Sequence, residues 1–132
     1  MTTIIIDGSN AVRGEWGFDS NFPEQDNRNS EAFIAELENW AGRMRKMPCV
    51  EVIFDGAQRP MAGGGTVSIY FSGYKKADDI VLERIRYHSF TGGRVLVVTG
   101  DGELAGLSGA EGALIFPPSK LRQAINSGSS LR

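Results

Sequence analysis

Three aspartates in this sequence each follow a short apolar run. Asp7 comes after three isoleucines, Asp55 after Val-Ile-Phe, and Asp101 after Val-Val-Thr-Gly. Short apolar runs of this kind are typical of strands buried on both faces of a parallel sheet. Because the carboxyl ends of parallel strands meet at the same edge, we expect these three carboxylates to lie at one edge of a sheet.

Further acids belong to the same edge. Asp78 and Asp79 open a predicted helix that follows a strand, and Glu103 comes two residues after Asp101. Two carboxylates about 5.5 Å apart repel each other by about 3 kcal/mol at an effective dielectric constant of ~20. Either a proton or a cation must relieve that repulsion. Oxygen ligands without His or Cys favour Mg²⁺ or Mn²⁺ as the cation.

Each acid also has an ordinary structural interpretation. Asp7 and Asp55 both precede glycine, which is common in turns. Asp78 and Asp79 can complement a helix dipole, and Asp101 can cap a helix. Since so many acids are expected at one edge, their coincidence favours a functional site over a set of unrelated turns and caps.

Strands and helices alternate along the chain. Apolar runs predict strands over residues 3–6, 50–54, 66–71, 95–98 and 113–116. Helices are predicted from an N-cap at Ser30 to a stop at Pro48, over residues 77–88, just after Asp101, and from an N-cap at Ser119 to about Ile125. Residues 14–29 are expected to be a surface loop. This alternation predicts a three-layer α/β fold with a mainly parallel sheet, as one domain over residues 1–126 with a flexible tail at 127–132.

Composition narrows the classes of function. The chain has 132 residues, a net charge of −2, one Cys and one His. These counts exclude an intrachain disulfide and a zinc site rich in Cys or His. No apolar run approaches the ~18 residues of a membrane span, and no signal peptide is visible, so we expect a cytoplasmic protein. Oligomerisation is compatible with the sequence, which does not specify the oligomeric state.

Basic and aromatic side chains are expected beside the acids. Arg13, Lys75 and Lys76 fall on the acidic edge, where they could contact a phosphate backbone. Trp16 and Phe18 flank a glycine in the neighbouring loop. They could stack on nucleobases or simply cover the core.

Five segments together resemble one family. In chain order they are Ile4-Ile5-Ile6-Asp7-Gly8-Ser9-Asn10, Val52-Ile53-Phe54-Asp55-Gly56, Lys76-Ala77-Asp78-Asp79-Ile80, Val97-Val98-Thr99-Gly100-Asp101, and Gly112-Ala113 with the helix at 119–125. Their order and spacing resemble the NYN and YacP-like branch of the PIN-domain ribonucleases over residues 3–125. The resemblance implies a PIN-like fold with sheet order 3-2-1-4-5 and cleavage of RNA with Mg²⁺ or Mn²⁺.

The resemblance also implies roles for individual residues. Asp7, Asp78 and Asp101 match the family's metal-binding aspartates, and Asn10 matches the Asn of its opening motif. We expect Asp55, Asp79 and Glu103 around them as outer acids, and RNA as the partner. The family usually has Tyr where this chain has Ser9, and the loop around residues 63–65 looks short.

Three other functions stay open on the sequence. The first is an RNA-binding module of the same fold with weak or lost catalysis. The second is a phosphatase or phosphotransfer domain with Asp7 as nucleophile, although such enzymes usually have a second acid where this chain has Ser9. The third is an interaction domain without a site, which the converging acids disfavour.

Overall fold

The structure is a computed structural model that describes residues 1–17, 23–61 and 65–131. Apolar runs form the strands, and segments with apolar residues at helical spacing form the longer helices. In chain order the elements are β1 (Thr2–Asp7), α1 (Gly8–Ala11), a π-helical turn (Val12–Trp16), α2 (Pro23–Gly42), β2 (Cys49–Phe54), β3 (Val67–Phe71), α3 (Ala77–Phe90), β4 (Arg94–Val98), α4 (Gly102–Ala110), β5 (Leu114–Phe116) and α5 (Pro118–Ser127).

The five strands form one sheet in the order β3-β2-β1-β4-β5, and every pair in it is parallel. This confirms the predicted α/β class, the parallel sheet and the order 3-2-1-4-5. Strand β1 lies at the centre, with Asp7 opposite Ile53 of β2 and Ile6 opposite Val98 of β4. Because all strands point the same way, the residues that follow them share one edge of the sheet.

Two apolar layers cover the faces of the sheet. On one face, Ile4 and Ile6 of β1 pack with α2 and α5. On the other face, Ile5 packs with Val81 and Ile85 of α3. Side chains alternate between faces along a strand, so Asp7 belongs to the α3 face, as Ile5 does. The polar end of β1 is therefore aimed at the start of α3.

Two predicted helix starts are wrong. Helix α2 begins at Pro23, not after Ser30, and Ser30 is a buried interior residue whose hydroxyl donates to the carbonyl of Asp26. Helix α5 begins at Pro118 rather than after Ser119. In both cases a proline occupies the first turn, where its fixed φ and missing N–H cost nothing. The predicted loop over residues 14–29 is also wrong where the chain is π-helical or already part of α2.

The C-terminal segment lies against the α2 face. The indole N–H of Trp40 donates to the carbonyl of Ser129 at 2.8 Å, and Leu131 is 7% exposed. The flexibility expected for residues 127–132 stays a prediction. Among the described helices, none has the length and apolar character needed to cross a bilayer.

A close approach at Gly8 sets the turn after β1. A Cβ at this position would lie 2.7 Å from Val52 Cγ1 and 2.9 Å from the Phe54 ring. Only glycine lets the backbone of α1 pass this close to β2. The chain therefore turns immediately after Asp7 and carries Ser9 and Asn10 across the ends of the neighbouring strands.

Candidate active site

Asp7 lies at the centre of the carboxyl edge and is 6% exposed. The Thr99 hydroxyl donates to its Oδ2 at 3.1 Å, and the backbone N–H of Asn10 also binds the carboxylate. Burial raises the pKa of Asp7 from 3.8 to about 6. The two hydrogen bonds oppose this rise, and the negative charges of Asp55 and Asp78 add to it. A buried carboxylate faced by two others is where a cation binds most favourably.

Asp78 lies in the first turn of α3 and is half-buried. Burial raises the pKa of its carboxyl, and the charges of Asp101, Asp55 and Glu103 raise it further. Its own backbone N–H partly offsets the increase. Acids from separate elements thus repel one another across this edge. We call this group the acid rim; its members are Asp7, Asp55, Asp78, Asp101 and Glu103.

Asp101 is the N-cap of α4. Its Oδ1 accepts hydrogen bonds from the backbone N–H groups of Glu103 at 2.9 Å and Leu104 at 3.2 Å. Its own backbone N–H donates to the Thr99 hydroxyl at 3.1 Å, and that hydroxyl in turn donates to Asp7. The capping interpretation is therefore correct for Asp101. The cap holds the carboxylate in place and uses only one of its two oxygens, and the Thr99 hydroxyl links this turn to Asp7.

Asp55 joins the end of β2 to the start of α3. Its Oδ1 accepts from the backbone N–H of Ala77 at 3.2 Å, and its backbone N–H donates to the Ser9 hydroxyl at 3.0 Å. Ser9 therefore fixes the turn that carries Asp55. This positioning role occupies the place where the family usually has Tyr.

Asn10 connects α1 with the loop after β4. Its Oδ1 accepts from the backbone N–H of Gly100 at 2.6 Å. A Cβ at Gly100 would lie only 3.0 Å from this oxygen, so the close contact depends on glycine. The structure places Asn10 at the rim, where it orders the turn before Asp101.

The outer predicted residues are more exposed. Asp79 is exposed and lies one helical step from Asp78, which turns its side chain by about 100° around α3. Lys75 forms an ion pair with Glu83 at 3.0 Å, and both side chains are more than half exposed. Lys76 is the exposed N-cap residue of α3. Arg13 lines an open cleft of about 410 Å³ together with Asn10 and Gly100.

Trp16 covers the core instead of facing solvent as a stacking platform. Its ring packs 4.5 Å from that of Phe33, and its indole N–H donates to Glu36. The Arg122 guanidinium covers the ring at 4.6 Å from the centroid. Of the two interpretations of Trp16, the structure supports the core one. Phe18 and residues 62–64 of the glycine loop lie outside the described residues.

The sequence did not predict a second polar cluster, which lies at the end of α3 far from Asp78. Cys49, Glu51 and His88 place ligand atoms within 4.8 Å of one another and could hold a metal ion. Arg84 already donates two hydrogen bonds to Glu51, at 2.8 and 2.7 Å, and His88 lies 2.9 Å from the same carboxylate. A metal ion would have to displace this guanidinium. One sequence signal could have identified this cluster. Glu51 is a single acid in an apolar strand, and Arg84 and His88 lie four residues apart on one helix.

The acid rim fits Mg²⁺ or Mn²⁺ by its donor set. It offers carboxylate oxygens only, which these hard cations prefer. Among the described residues, the group of three or more ligand atoms that all lie within 4.8 Å of one another is the Cys49 cluster, so no three rim carboxylates meet that spacing.

The raised pKa values predict a pH dependence of stability in the metal-free protein. The pKa of Asp7 rises from 3.8 to about 6 on folding, so folding favours its protonated form. The resulting stabilisation is complete below pH 3.8 and is lost as the pH rises through 6. We therefore expect chemical unfolding in EDTA to show greater stability near pH 5 than near pH 7, and Mn²⁺ to remove the difference. A flat profile with and without Mn²⁺ would contradict coupled rim acids.

Comparisons with known proteins agree with this architecture. No family model matches the sequence, and no curated protein matches it. Two crystal structures of Rae1 (YacP) from Bacillus subtilis share the fold. The W164L mutant superposes with a TM-score of 0.79 at 17% identity, over 97% of this chain and 77% of that one. The other gives 0.69 at 18% identity, over 97% and 75%. These structural neighbours are consistent with the YacP-like resemblance of the sequence and show that this chain has their fold.

Proposed function

We propose that the protein is a ribonuclease that cleaves RNA phosphodiester bonds with Mg²⁺ or Mn²⁺ held at the acid rim. The observation that carries the proposal is the convergence of acids from the ends of separate strands and the starts of α3 and α4 on one edge of the parallel sheet. Burial raises the pKa values of Asp7 and Asp78, and the charges of neighbouring rim acids raise them further. The shared fold and the sequence resemblance support the same activity. A cytoplasmic location accords with it.

Asp7, Asp78 and Asp101 are the proposed metal ligands. When bound, the ion activates water and stabilises the leaving oxygen of a phosphodiester. The Thr99 hydroxyl orients Asp7 and the turn of Asp101, and Asn10 holds that turn through Gly100. Asp55 and Glu103 add negative charge around the site, with Asp79 further out.

The basic residues are the proposed contacts to the RNA backbone. Lys75 and Lys76 lie three and two residues before Asp78, and Arg13 lines the cleft beside Asn10 and Gly100. The exposed ion pair between Lys75 and Glu83 contributes little to stability, so a phosphate can replace Glu83 as its partner. Cations on both sides of the acids would attract an RNA strand across the rim.

A second candidate is an RNA-binding module of this fold with weak catalysis. One observation favours it. One carboxylate oxygen of Asp101 accepts the capping hydrogen bonds of α4, which leaves fewer oxygen atoms to coordinate an ion. The two candidates differ in whether a divalent metal and an intact Asp78 are needed for the RNA strand to break.

The substitution Asp78→Asn tests the proposal. It keeps the shape of the side chain and removes one charge from the rim. We expect cleavage of a single-stranded RNA with Mn²⁺ to fall by about 100-fold or more, as for the loss of a metal ligand, and the affinity for Mn²⁺ to fall with it. Because burial and the neighbouring rim charges both disfavour the ionised form of Asp78, the metal-free variant is expected to be at least as stable as the parent protein.

Asp79→Asn is the matched control. It removes the same charge from the next residue of the same helix turn, and activity should stay within a few fold of the parent. The measurement is a gel-based cleavage assay, with EDTA as blank and thermal unfolding as a check on folding. Equal activity of the parent and Asp78→Asn, or no cleavage with any divalent metal, would favour the binding module.

A further inference from the structure

Tyr74 is fully exposed, in the turn between β3 and α3. The turn itself is well anchored. The backbone N–H of Gly73 donates to the carbonyl of Gly56 at 2.8 Å, and the N–H of Gly56 donates to the Ser72 hydroxyl at 3.0 Å. The N–H of Lys75 donates back to the Ser72 carbonyl at 3.1 Å. An anchored turn thus presents a large aromatic ring to solvent.

This turn is connected to two members of the acid rim, Asp55 and Asp78. Gly56, to which it is hydrogen-bonded, directly follows Asp55, and Asp78 comes four residues after Tyr74. Even a fully extended chain of four residues spans at most about 14 Å. The ring therefore lies within reach of RNA whose cleaved bond is at the rim.

The two basic residues beside Tyr74 suit a nucleic acid. Lys75 and Lys76 follow it directly, and both are exposed. Aromatic rings on an exposed surface bind unpaired nucleobases by stacking, while neighbouring cations bind the phosphates. An exposed aromatic ring with two lysines beside it combines both types of contact.

We propose that Tyr74 is a substrate-positioning residue that stacks on a nucleobase of the RNA next to the cleaved bond. This inference rests on the proposed function. In this arrangement the RNA crosses the part of the acid rim nearest to β3 and passes close to Lys76. Stacking requires an unpaired base, so the residue selects single-stranded segments at this position.

The test is RNA affinity, measured by fluorescence anisotropy in EDTA so that no cleavage occurs. We expect Tyr74→Ala to bind a short oligoadenylate roughly 5- to 150-fold more weakly, the equivalent of 1–3 kcal/mol of stacking per base. Tyr74→Phe, which keeps the ring, should bind like the parent. For an abasic ribose-phosphate chain of the same length, Tyr74→Ala and the parent should bind equally, because no base is left to stack.

Phe90→Ala is the matched control, since Phe90 is a similarly exposed aromatic ring at the far end of α3. It should leave the affinity unchanged. If Tyr74→Ala binds oligoadenylate like the parent, or loses equal affinity for the abasic chain, the stacking role is wrong while the ribonuclease proposal stands on its own assay. If the parent neither binds nor cleaves RNA, both proposals are wrong.

Discussion

Asp7→Asn is expected to make the metal-free protein more stable near neutral pH and at the same time to reduce the proposed RNA cleavage sharply. Asp7 is buried, and its pKa of about 6 lies well above the 3.8 of an unperturbed aspartate. A shift of about two pKa units corresponds to about 3 kcal/mol of destabilisation by the ionised carboxylate. An amide avoids this cost and still accepts the hydrogen bond from Thr99. Cleavage should fall by about 100-fold or more, because the amide is a poor ligand for Mg²⁺ or Mn²⁺.

The pH dependence separates this explanation from a general packing effect. The extra stability of Asp7→Asn should shrink as the pH falls through 6 towards 3.8, where the parent carboxyl becomes protonated as well. Urea unfolding at several pH values in EDTA measures it, and Mn²⁺ should stabilise the parent more than the variant. A variant that is less stable at neutral pH, or one that cleaves normally, would contradict the assignment of Asp7.

Arg84→Met is expected to lower the free energy of unfolding by about 3 kcal/mol. Glu51 is 2% exposed and receives two hydrogen bonds from Arg84. Burial raises the pKa of Glu51, but the hydrogen bonds from Arg84 and His88 outweigh burial and hold it below its usual value. Removing one partner of a buried ion pair typically costs 3–5 kcal/mol, and His88 remains beside the carboxylate, which favours the lower end.

Two further variants make this prediction specific. Arg86→Met removes an arginine from an exposed ion pair with Glu111 on the same helix, and it should change stability by less than about 1 kcal/mol. In the double variant Glu51→Leu with Arg84→Met, most of the lost stability should return, because no unpaired charge is left in the interior. Urea unfolding measures all three. Equal effects of Arg84→Met and Arg86→Met would show that the Glu51 network is not a major source of stability.

The sheet could be predicted because its signals are local. Each strand is an apolar run, each run is followed by a turn or a helix, and parallel strands must then share one carboxyl edge. The strand order itself came from the family resemblance. The start of α2 could not be found in the same way. Residues 23–29 are polar, so hydrophobic spacing starts only after Ser30, and Pro23 in the first turn is the one local signal of the true helix start.

The position of the acids at the carboxyl edge of the sheet could also be predicted, since they follow strands or open helices, while their role as metal ligands stays a prediction. The hydrogen bonds that hold these acids in place could not be predicted from the sequence. Thr99 meets Asp7 across 92 positions of sequence, and Ser9 meets the backbone of Asp55 across 46. Such pairs depend on the final register of the strands, which no local pattern specifies. The Glu51 network was missed for the same reason, because Arg84 lies 33 positions from Glu51.

Helix α3 connects the acid rim with the hydrogen-bond network around Glu51. It has 14 residues, about 21 Å in length, with Asp78 in its first turn and His88 in its last. In a library of random single substitutions, loss of the proposed activity should therefore take two forms. Changes near Asp78 should give inactive protein at normal abundance in the cell, whereas changes around Glu51 should deplete the protein itself through unfolding and degradation. Residues near Asp78 can then change during evolution, because the ion pairs around Glu51 at the other end of the helix supply the stability that such substitutions reduce.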